Sequence, residues 1–91
     1  MRLLWTNKAL SDLTRLHEFL FPVNPRTAAK TVQALIGAGS RLLEHPRIGE
    51  KLEQFDPREV RRILIGNYEM RYEIRESTIY GLRLWHTRDN R

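Results

Sequence analysis

The sequence contains no cysteine among its 91 residues. A disulfide framework and a cysteine-ligated zinc site are therefore both excluded as means of stabilising this small chain. Long apolar runs are also missing. The N-terminal run Leu3-Leu4-Trp5 ends at Thr6, which is too short for the core of a secretion signal or for a membrane span. We therefore expect the chain to act in the cytoplasm.

Familiar catalytic and ligand-binding signatures are absent as well. The sequence has no phosphate-binding loop, no HExxH motif and no nucleophile elbow. Its three histidines, His17, His45 and His86, are far apart and show no metal-ligand spacing. We expect neither a metal site nor a cofactor.

The chain carries an excess of positive charge. Lys and Arg number 16 against 11 Asp and Glu, which gives a net charge of +5. Such a balance favours an acidic partner, either nucleic acid or protein. The basic residues are spread over both halves of the chain, however, so an ordinary solvated surface explains them as well as a binding face does.

Length and composition predict one folded domain over residues 1–91. Hydrophobic residues make up 41% and charged residues 30% of the chain, which is ordinary for a globular protein and unlike a disordered one. The short length allows one small core.

The first half of the chain predicts a strand followed by two helices. Arg2 to Trp5 is an apolar run, and Thr6 or Asn7 can cap the helix after it. The first helix has apolar residues three and four apart, namely Ala9, Leu10, Leu13, Leu16 and Leu20. We expect Pro22 to force Phe21 out of helical geometry and so to end this helix near Leu20.

The second helix is expected to begin at Asn24-Pro25 and to end before Pro46. The short link predicts that the two helices form an antiparallel hairpin. Gly37 and Gly39 lie inside the second helix, and close packing against the first helix would compensate for their low helix propensity.

The second half predicts a loop and three strands. His45 to Pro57 has the proline, glycine and charge content of a loop, and its apolar Ile48, Leu52 and Phe55 are expected to fold back onto the core. Three strand-like runs follow, separated by the turn sequences Gly66-Asn67 and Glu76-Ser77: Val60–Ile65, Tyr68–Arg75 and Ile79–His86.

The middle strand alternates strictly in polarity. Apolar Tyr68, Met70, Tyr72 and Ile74 alternate with charged Glu69, Arg71, Glu73 and Arg75. This pattern is typical of an antiparallel strand with one solvated face. The predicted fold is α+β, with the helical hairpin packed on one face of a mostly antiparallel sheet and the first strand beside one of the others.

Two clusters could carry a function. Leu84-Trp85-His86-Thr87-Arg88 gathers an aromatic ring, an imidazole and a guanidinium at a strand end, although an ordinary polar strand end has the same pattern. In Arg61-Arg62 only one side chain can face the core, which leaves the other for a partner. The arginines Arg71, Arg75 and Arg83 either extend a basic stripe or pair across strands with Glu69 and Glu73.

The order of these elements and motifs resembles the RelE/ParE toxin superfamily over nearly the whole chain. Three segments carry the resemblance: the loop His45-Pro46-Arg47-Ile48-Gly49, the hairpin from Arg61 to Ile74, and the C-terminal segment from Leu82 to Asp89.

The resemblance implies one of two activities, because RelE-type members cleave mRNA on the ribosome and ParE-type members poison DNA gyrase. A metal-free nuclease needs a base, an acid and cations on one face. Nucleases of this superfamily carry Tyr-Arg where this chain has Tyr68-Glu69, and a carboxylate there would repel RNA. Only Arg62 and His86 match nuclease positions.

The ParE-type activity requires a binding surface and no catalytic set, and the resemblance favours it. Aromatic and arginine side chains dominate interface hot spots. The candidates for gyrase contact are Arg83, Trp85, His86 and Arg88.

The resemblance also implies a ParD-like antitoxin, whose ribbon-helix-helix domain binds DNA and whose tail folds onto the toxin. DNA would be contacted only through this antitoxin. The antitoxin-contact candidates are Leu13, Leu16, Phe19, Phe21, Arg61 and Arg71. An inactive relative that only binds its antitoxin and regulates their shared promoter remains a third alternative.

Overall fold

The computed structural model describes residues 1–88, and Asp89 of the C-terminal motif lies outside them. The elements are β1 (Arg2–Trp5), α1 (Asn7–Leu20), α2 (Pro25–Glu44), β2 (Glu50–Lys51), β3 (Glu59–Ile65), β4 (Tyr68–Arg75) and β5 (Thr78–His86), with a 3-10 turn at Glu53–Phe55. The predicted α+β class is confirmed, since two helices pack on a mixed sheet of five strands.

Both helices begin where their capping side chains predict. The Thr6 hydroxyl accepts a hydrogen bond from the Ala9 N–H, and the Asn24 side chain accepts one from the Thr27 N–H, with Pro25 at the first helical position. These bonds satisfy backbone donors that have no partner inside a helix. Within the described residues, neither helix combines the length and the hydrophobicity needed to cross a bilayer.

The expectation for Phe21 is wrong. Its φ of −58° and ψ of −46° are helical, and its N–H donates to the His17 carbonyl. A proline disfavours the helical conformation of the residue before it but does not forbid it. The hydrogen bond to His17 outweighs that preference, although the helix still ends at Leu20.

The sheet has the strand order β1-β5-β4-β3-β2. β1 runs parallel to β5 at one edge, and the other pairs are antiparallel. The two-residue β2, opposite Arg61 and Arg62 in β3, was not predicted, because two residues are too few to show a period. A bulge between Arg71 and Tyr72 shifts the register of β4 against β5.

The core lies between the helices and one face of the sheet. Alternate residues of β4 point into it and meet the apolar stripes of the helices, as their spacing predicts. Its buried members are Leu13, Leu35, Ala38, Leu42, Ile65, Met70, Tyr72, Ile74, Ile79 and Leu84.

The glycines of α2 pack differently from the expectation. A Cβ at Gly39 would overlap Leu3 and come close to the Trp5 ring, so Gly39 allows α2 to approach β1 and not α1. Nothing lies within 4 Å of a Cβ built on Gly37, so no close packing compensates for glycine there. The predicted contact with the first helix is therefore wrong for both positions.

The second face of the sheet is less exposed than its alternating pattern predicts. Glu69 is only 8% and Glu73 only 5% exposed. Arg58 donates two hydrogen bonds to Glu73 and lies over the Phe55 ring, and Arg71 lies over the same ring. The loop before β3 thus folds across this face.

Neither expected arrangement of Arg71, Arg75 and Arg83 is found. Glu73 and Glu69 bond instead to Arg58 and Arg62, while Arg71 stacks on aromatic rings, Arg75 lies over the Tyr80 ring and Arg83 pairs with Asp12.

Tyr72 anchors the loop that follows α2. Its buried hydroxyl accepts a hydrogen bond from the Gly49 N–H at 3.1 Å and donates one to the Pro46 carbonyl at 2.7 Å. Burial raises the pKa of this hydroxyl above its ordinary value. Leu52 is buried as expected, whereas Ile48 is 64% exposed and does not fold back.

We expect Gly49→Ala to destabilise the fold. A Cβ there would lie 2.6 Å from the Arg62 carbonyl oxygen and 2.7 Å from the Tyr72 hydroxyl. Overpacking of this kind lowers the free energy of unfolding by about 1–3 kcal/mol. Urea denaturation followed by circular dichroism measures the loss.

The matched control is Gly37→Ala, where the added methyl meets open space inside α2. This variant should raise the free energy of unfolding by up to about 1 kcal/mol. If Gly49→Ala were as stable as the unchanged chain, the tight anchoring of the loop would be contradicted.

Candidate functional site

A cleft of about 480 Å³ opens between α1 and the end of β5. The helix contributes Asp12, Arg15, Leu16 and Phe19. The strands and the turn after β5 contribute Tyr68, Leu84, Trp85, His86 and Arg88. The cleft therefore joins apolar walls to cationic and aromatic side chains.

Asp12 holds the two sides of this cleft together. Its position on α1, between Ala9 and Leu13, places the carboxylate on the buried side of the helix, where the side chain is only 3% exposed. One carboxylate oxygen accepts hydrogen bonds from Arg83 Nε at 2.8 Å and from the Leu84 N–H at 2.9 Å. A helix side chain is thus bonded to the backbone of a strand.

The ending of β1 explains why this carboxylate is needed. β1 pairs with β5 only as far as Gly81, and the Thr6 hydroxyl then donates to the Leu82 carbonyl. A buried backbone N–H beyond that point needs an acceptor. Asp12 supplies it to Leu84, so side chains continue the hydrogen bonding of the sheet past its edge strand.

The Asp12 carboxylate is fully engaged in its own hydrogen bonds. Burial acts to raise the pKa of this group, but hydrogen bonds from Arg83, the Leu84 N–H and Arg15 prevail and hold the pKa below its ordinary value. The Arg15 side chain remains 63% exposed while bonded to Asp12. The cleft is therefore positive in character, with Arg88 adding a further cation.

The turn after β5 is fixed by short contacts. The His86 ring meets the Tyr68 ring edge to face, with centroids 5.1 Å apart. His86 Nδ1 accepts a hydrogen bond from the Arg88 N–H at 3.0 Å, and the Thr87 N–H donates to the Asn67 carbonyl at 2.8 Å. His86 and Arg88 thus occupy defined positions at the rim of the cleft.

Trp85 lies mainly on the second face of the sheet and is 9% exposed. The Arg71 guanidinium stacks over its ring at 4.8 Å and over the Phe55 ring at 5.2 Å. Stacking of this kind stabilises a cation between two aromatic rings. Trp85 therefore lines the cleft and also holds Arg71 on the second face.

Both members of the Arg61-Arg62 pair have partners within the chain, so the expectation that one is free is wrong. Arg61 donates to the Gly49 carbonyl at 2.8 Å. Arg62 donates to Glu50 at 2.6 Å and to Glu69 at 3.1 Å. The short β2 and the loop before it bring Gly49 and Glu50 close, and sequence periodicity gave no sign of these two acceptors.

The two nuclease candidates are not brought together. Arg62 lies opposite Arg71 on the second face, whereas His86 lies opposite Tyr68, which packs against the core on the helix side. The sheet therefore separates them. Within residues 1–88, no group of three or more His, Asp or Glu side chains is placed to hold a metal ion.

The gyrase-contact candidates lie at or beside the cleft. His86 and Arg88 line it, Trp85 reaches it from the second face, and Arg83 lies behind it in the ion pair with Asp12, with its side chain 31% exposed.

The structure does not bring the antitoxin-contact candidates together in one place. Leu16 and Phe19 line the cleft, and Phe19 is 77% exposed. Leu13 is 7% exposed and belongs to the core, while Phe21 contacts the His17 ring near the end of α1. The two arginines of this set lie away from the cleft, in the bonds and stacking described above.

Sequence reasoning missed Asp12, Arg15 and Tyr68 as parts of this site. One signal was available, because Asp12 falls on the apolar stripe of α1, three residues after Ala9 and four before Leu16. A carboxylate at such a position needs a buried partner. The partner, Arg83, lies 71 residues away, and no local pattern identifies it.

Comparison with known proteins gives matches in family, sequence and fold. The family model described as the ParE toxin of type II toxin-antitoxin system, parDE, matches residues 3–91. The toxin RelE2 of Caulobacter vibrioides is 27% identical over 85 residues, which cover 93% of this chain and 93% of that protein. A chain solved for the chromosomal ParDE system of P. aeruginosa has a TM-score of 0.79 and 24% identity, over 94% of this chain and 95% of that one. At this identity the structural match shows the fold alone.

We expect Asp12→Asn to lower the free energy of unfolding by about 2–3 kcal/mol, because it removes the charge that binds both Arg83 and Arg15. The expected loss is smaller than for a fully buried ion pair because both arginines are partly exposed. Since the pKa of Asp12 is lowered in the folded state, its stabilisation is complete above the unfolded-state pKa of about 3.9 and is lost as pH falls through the folded-state value.

Urea denaturation between about pH 7 and pH 3 therefore measures the effect, and the variant should lose less stability over this range than the unchanged chain. Glu18→Gln, on the exposed side of the same helix, is the control and should retain the full acid dependence. An unchanged acid dependence in Asp12→Asn would contradict the role given to this carboxylate.

Proposed function

This chain belongs to the ParE toxin family of type II toxin–antitoxin systems, and from that membership we propose that it arrests bacterial growth by poisoning DNA gyrase. The binding surface is the cleft between α1 and β5. Gyrase contact is assigned to its rim, where His86 and Arg88 stand beside the apolar Leu16 and Phe19.

The observation that carries this proposal is the composition of the cleft on a rigid scaffold. Aromatic and arginine side chains provide most of the energy of protein interfaces when water is excluded around them. Phe19 is an exposed aromatic ring, and burying such a ring against a partner contributes about 1.5–3 kcal/mol. The Asp12 bonds hold the surrounding walls in place before a partner arrives.

The nuclease alternative has less support. An RNA phosphate would need a cation and a proton-transfer group on one face, and Arg62 and His86 lie on opposite faces of the sheet. Arg62 also bonds to both Glu50 and Glu69. Two carboxylates at that position repel a phosphate backbone. This favours a toxin that acts by binding gyrase over a ribosome-dependent endonuclease.

The partner that neutralises the toxin is a ParD-like antitoxin with a ribbon-helix-helix domain. Its tail would fold on the exposed apolar side chains at the end of α1, where Phe19 is 77% and Phe21 is 49% exposed. The excess of basic residues favours an acidic tail. The chain would bind both gyrase and the antitoxin in the cytoplasm.

We expect the purified chain to inhibit supercoiling of relaxed plasmid by gyrase, or to trap cleaved DNA, and antitoxin to reverse the effect. Arg88→Ala should raise the concentration for half-inhibition by about 10-fold or more, because it removes a rim cation from the interface. Arg26→Ala, at an exposed position in the first turn of α2, is the control and should leave inhibition unchanged.

Absence of any gyrase effect from the folded chain would contradict the proposal. Cleavage of mRNA on translating ribosomes would then be tested, beginning with Arg62 and His86. A chain that binds antitoxin but fails to stop growth when expressed alone would be an inactive relative.

A further inference from the structure

The two edges of the sheet are built differently. β2, at one edge, has only two residues, Glu50 and Lys51, and both are charged. A short, charged edge strand resists pairing with another chain. β1, at the other edge, has the sequence Arg-Leu-Leu-Trp and contains neither a proline nor a bulge. Of these two edges, β1 is the one suited to receive a further strand.

The outward-facing backbone groups of β1 are those of Leu3 and Trp5. The Arg2 N–H donates to the carbonyl of Ser77, directly before β5. Successive residues of a strand direct their backbone groups to opposite sides, so those of Leu3 and Trp5 point away from β5. Among the described residues 1–88, no other strand lies on that side. Two N–H donors and two carbonyl acceptors are thus free to pair with a strand of another chain.

Apolar side chains flank this edge on both faces of the sheet. On the helix side, Gly39 packs against Leu3. Ile36 and Leu43 lie three residues before and four residues after Gly39, hence on the same side of α2, and they are 48% and 41% exposed. On the second face, Leu4 is 39% exposed. We refer to the open edge of β1 with Leu4, Ile36 and Leu43 as the β1 flank.

We propose that the β1 flank binds a second copy of this chain, through antiparallel pairing of the two β1 strands about a two-fold axis. With Leu4 of both copies at the axis, Leu3 of each copy lies opposite Trp5 of the other. Hydrogen-bonded pairs of this kind exchange two bonds each, so the four free groups of each copy are all satisfied. Both copies contribute the same patch, as a two-fold interface requires. The inference is independent of the target on which the toxin acts.

The same register brings apolar side chains together and keeps like charges apart. An axis perpendicular to the sheet places both helical hairpins on one side, where Ile36 and Leu43 of the two copies face each other. On the second face, Leu4 meets Leu4 of the other copy. Arg2, the one charged residue in the sequence of β1, falls opposite Thr6 of the other copy. Nothing in the paired strands therefore opposes their approach.

The size and charge of the flank predict a weak dimer that salt strengthens. The strand from Arg2 to Thr6 is about 16 Å long, and the helix layer adds about 10 Å of height. Two such flanks bury less than about 1,200 Å², which is the range of transient interfaces. Each copy carries a net charge of +5, and the range of this repulsion falls from about 10 Å in 0.1 M salt to about 3 Å in 1 M salt. The opposite salt dependence is expected for binding of an acidic partner.

Sedimentation equilibrium of the purified chain tests the proposal. Between about 10 µM and about 1 mM we expect a reversible monomer–dimer equilibrium, with a dissociation constant on the order of 100 µM in about 0.1 M salt. Raising the salt to about 1 M should lower this constant by about three-fold or more. A chain that stays monomeric at the highest concentration in both salts, or a dimer that salt dissociates, would overturn the proposal.

Amide hydrogen exchange on the same samples locates the contact between the copies. The Leu3 and Trp5 amides should exchange about three-fold or more slowly at the highest concentration than at the lowest, because pairing gives them acceptors. The amide of Leu64, on β3 at the far side of the sheet, is the reference and should exchange equally at both. Dimerisation that leaves Leu3 and Trp5 unprotected would place the contact elsewhere and reject pairing of the β1 strands.

Two matched variants separate pairing from net charge. Leu4→Lys brings like charges together at the axis and should raise the dissociation constant by about 10-fold or more. Leu64→Lys makes the same change at a leucine that is 61% exposed on β3, and should leave the constant unchanged. Circular dichroism checks that both variants fold. Equal effects of the two substitutions would attribute the change to net charge alone and contradict the proposal.

The antitoxin is the other candidate for this edge, and the same exchange measurement distinguishes it. Protection of the Leu3 and Trp5 amides by self-association, without antitoxin, supports the second copy as the occupant. A chain that stays monomeric, and in which these amides are protected only when the antitoxin is added, would assign the edge to the antitoxin and overturn the proposal.

Discussion

The carboxylate of Asp12 is the constraint on which the cleft depends. It lies 3% exposed between α1 and β5, where it accepts hydrogen bonds from two arginines and from the Leu84 N–H. A buried charge is tolerated only when it is paired and hydrogen-bonded in this way. The same bonds that satisfy the end of β5 also connect helix and strand, so the cleft follows directly from the way the sheet edge is completed.

The distribution of arginines explains why a basic chain need not have a nucleic-acid face. On the second face, Arg58 and Arg62 are bonded to carboxylates and Arg71 is stacked between two rings. These cations stabilise the loop and the sheet. At the cleft, by contrast, Arg15 and Arg88 reach the rim. The exposed Arg15 and Arg88 therefore make the rim of the cleft basic.

Local patterns predicted the elements of the fold better than the contacts between them. The capped helices and the strands β3 to β5 follow from periodicity and turn residues, which act over a few positions. The burial of Glu73 could not be predicted in this way, because Arg58, which bonds to it and lies over the Phe55 ring, comes from a loop. The partners of Asp12 are equally non-local, and for that reason half of the cleft was missed.

Amide hydrogen exchange at Leu84 is the measurement that tests this dependence most directly. In the unchanged chain the Leu84 amide should exchange slowly, as a hydrogen-bonded donor does. Asp12→Ala should accelerate it by about 10-fold or more beyond any change at Met70, a buried position in the centre of the sheet. Equal changes at Leu84 and Met70 would show that the carboxylate contributes only to global stability, and would contradict its role in building the cleft.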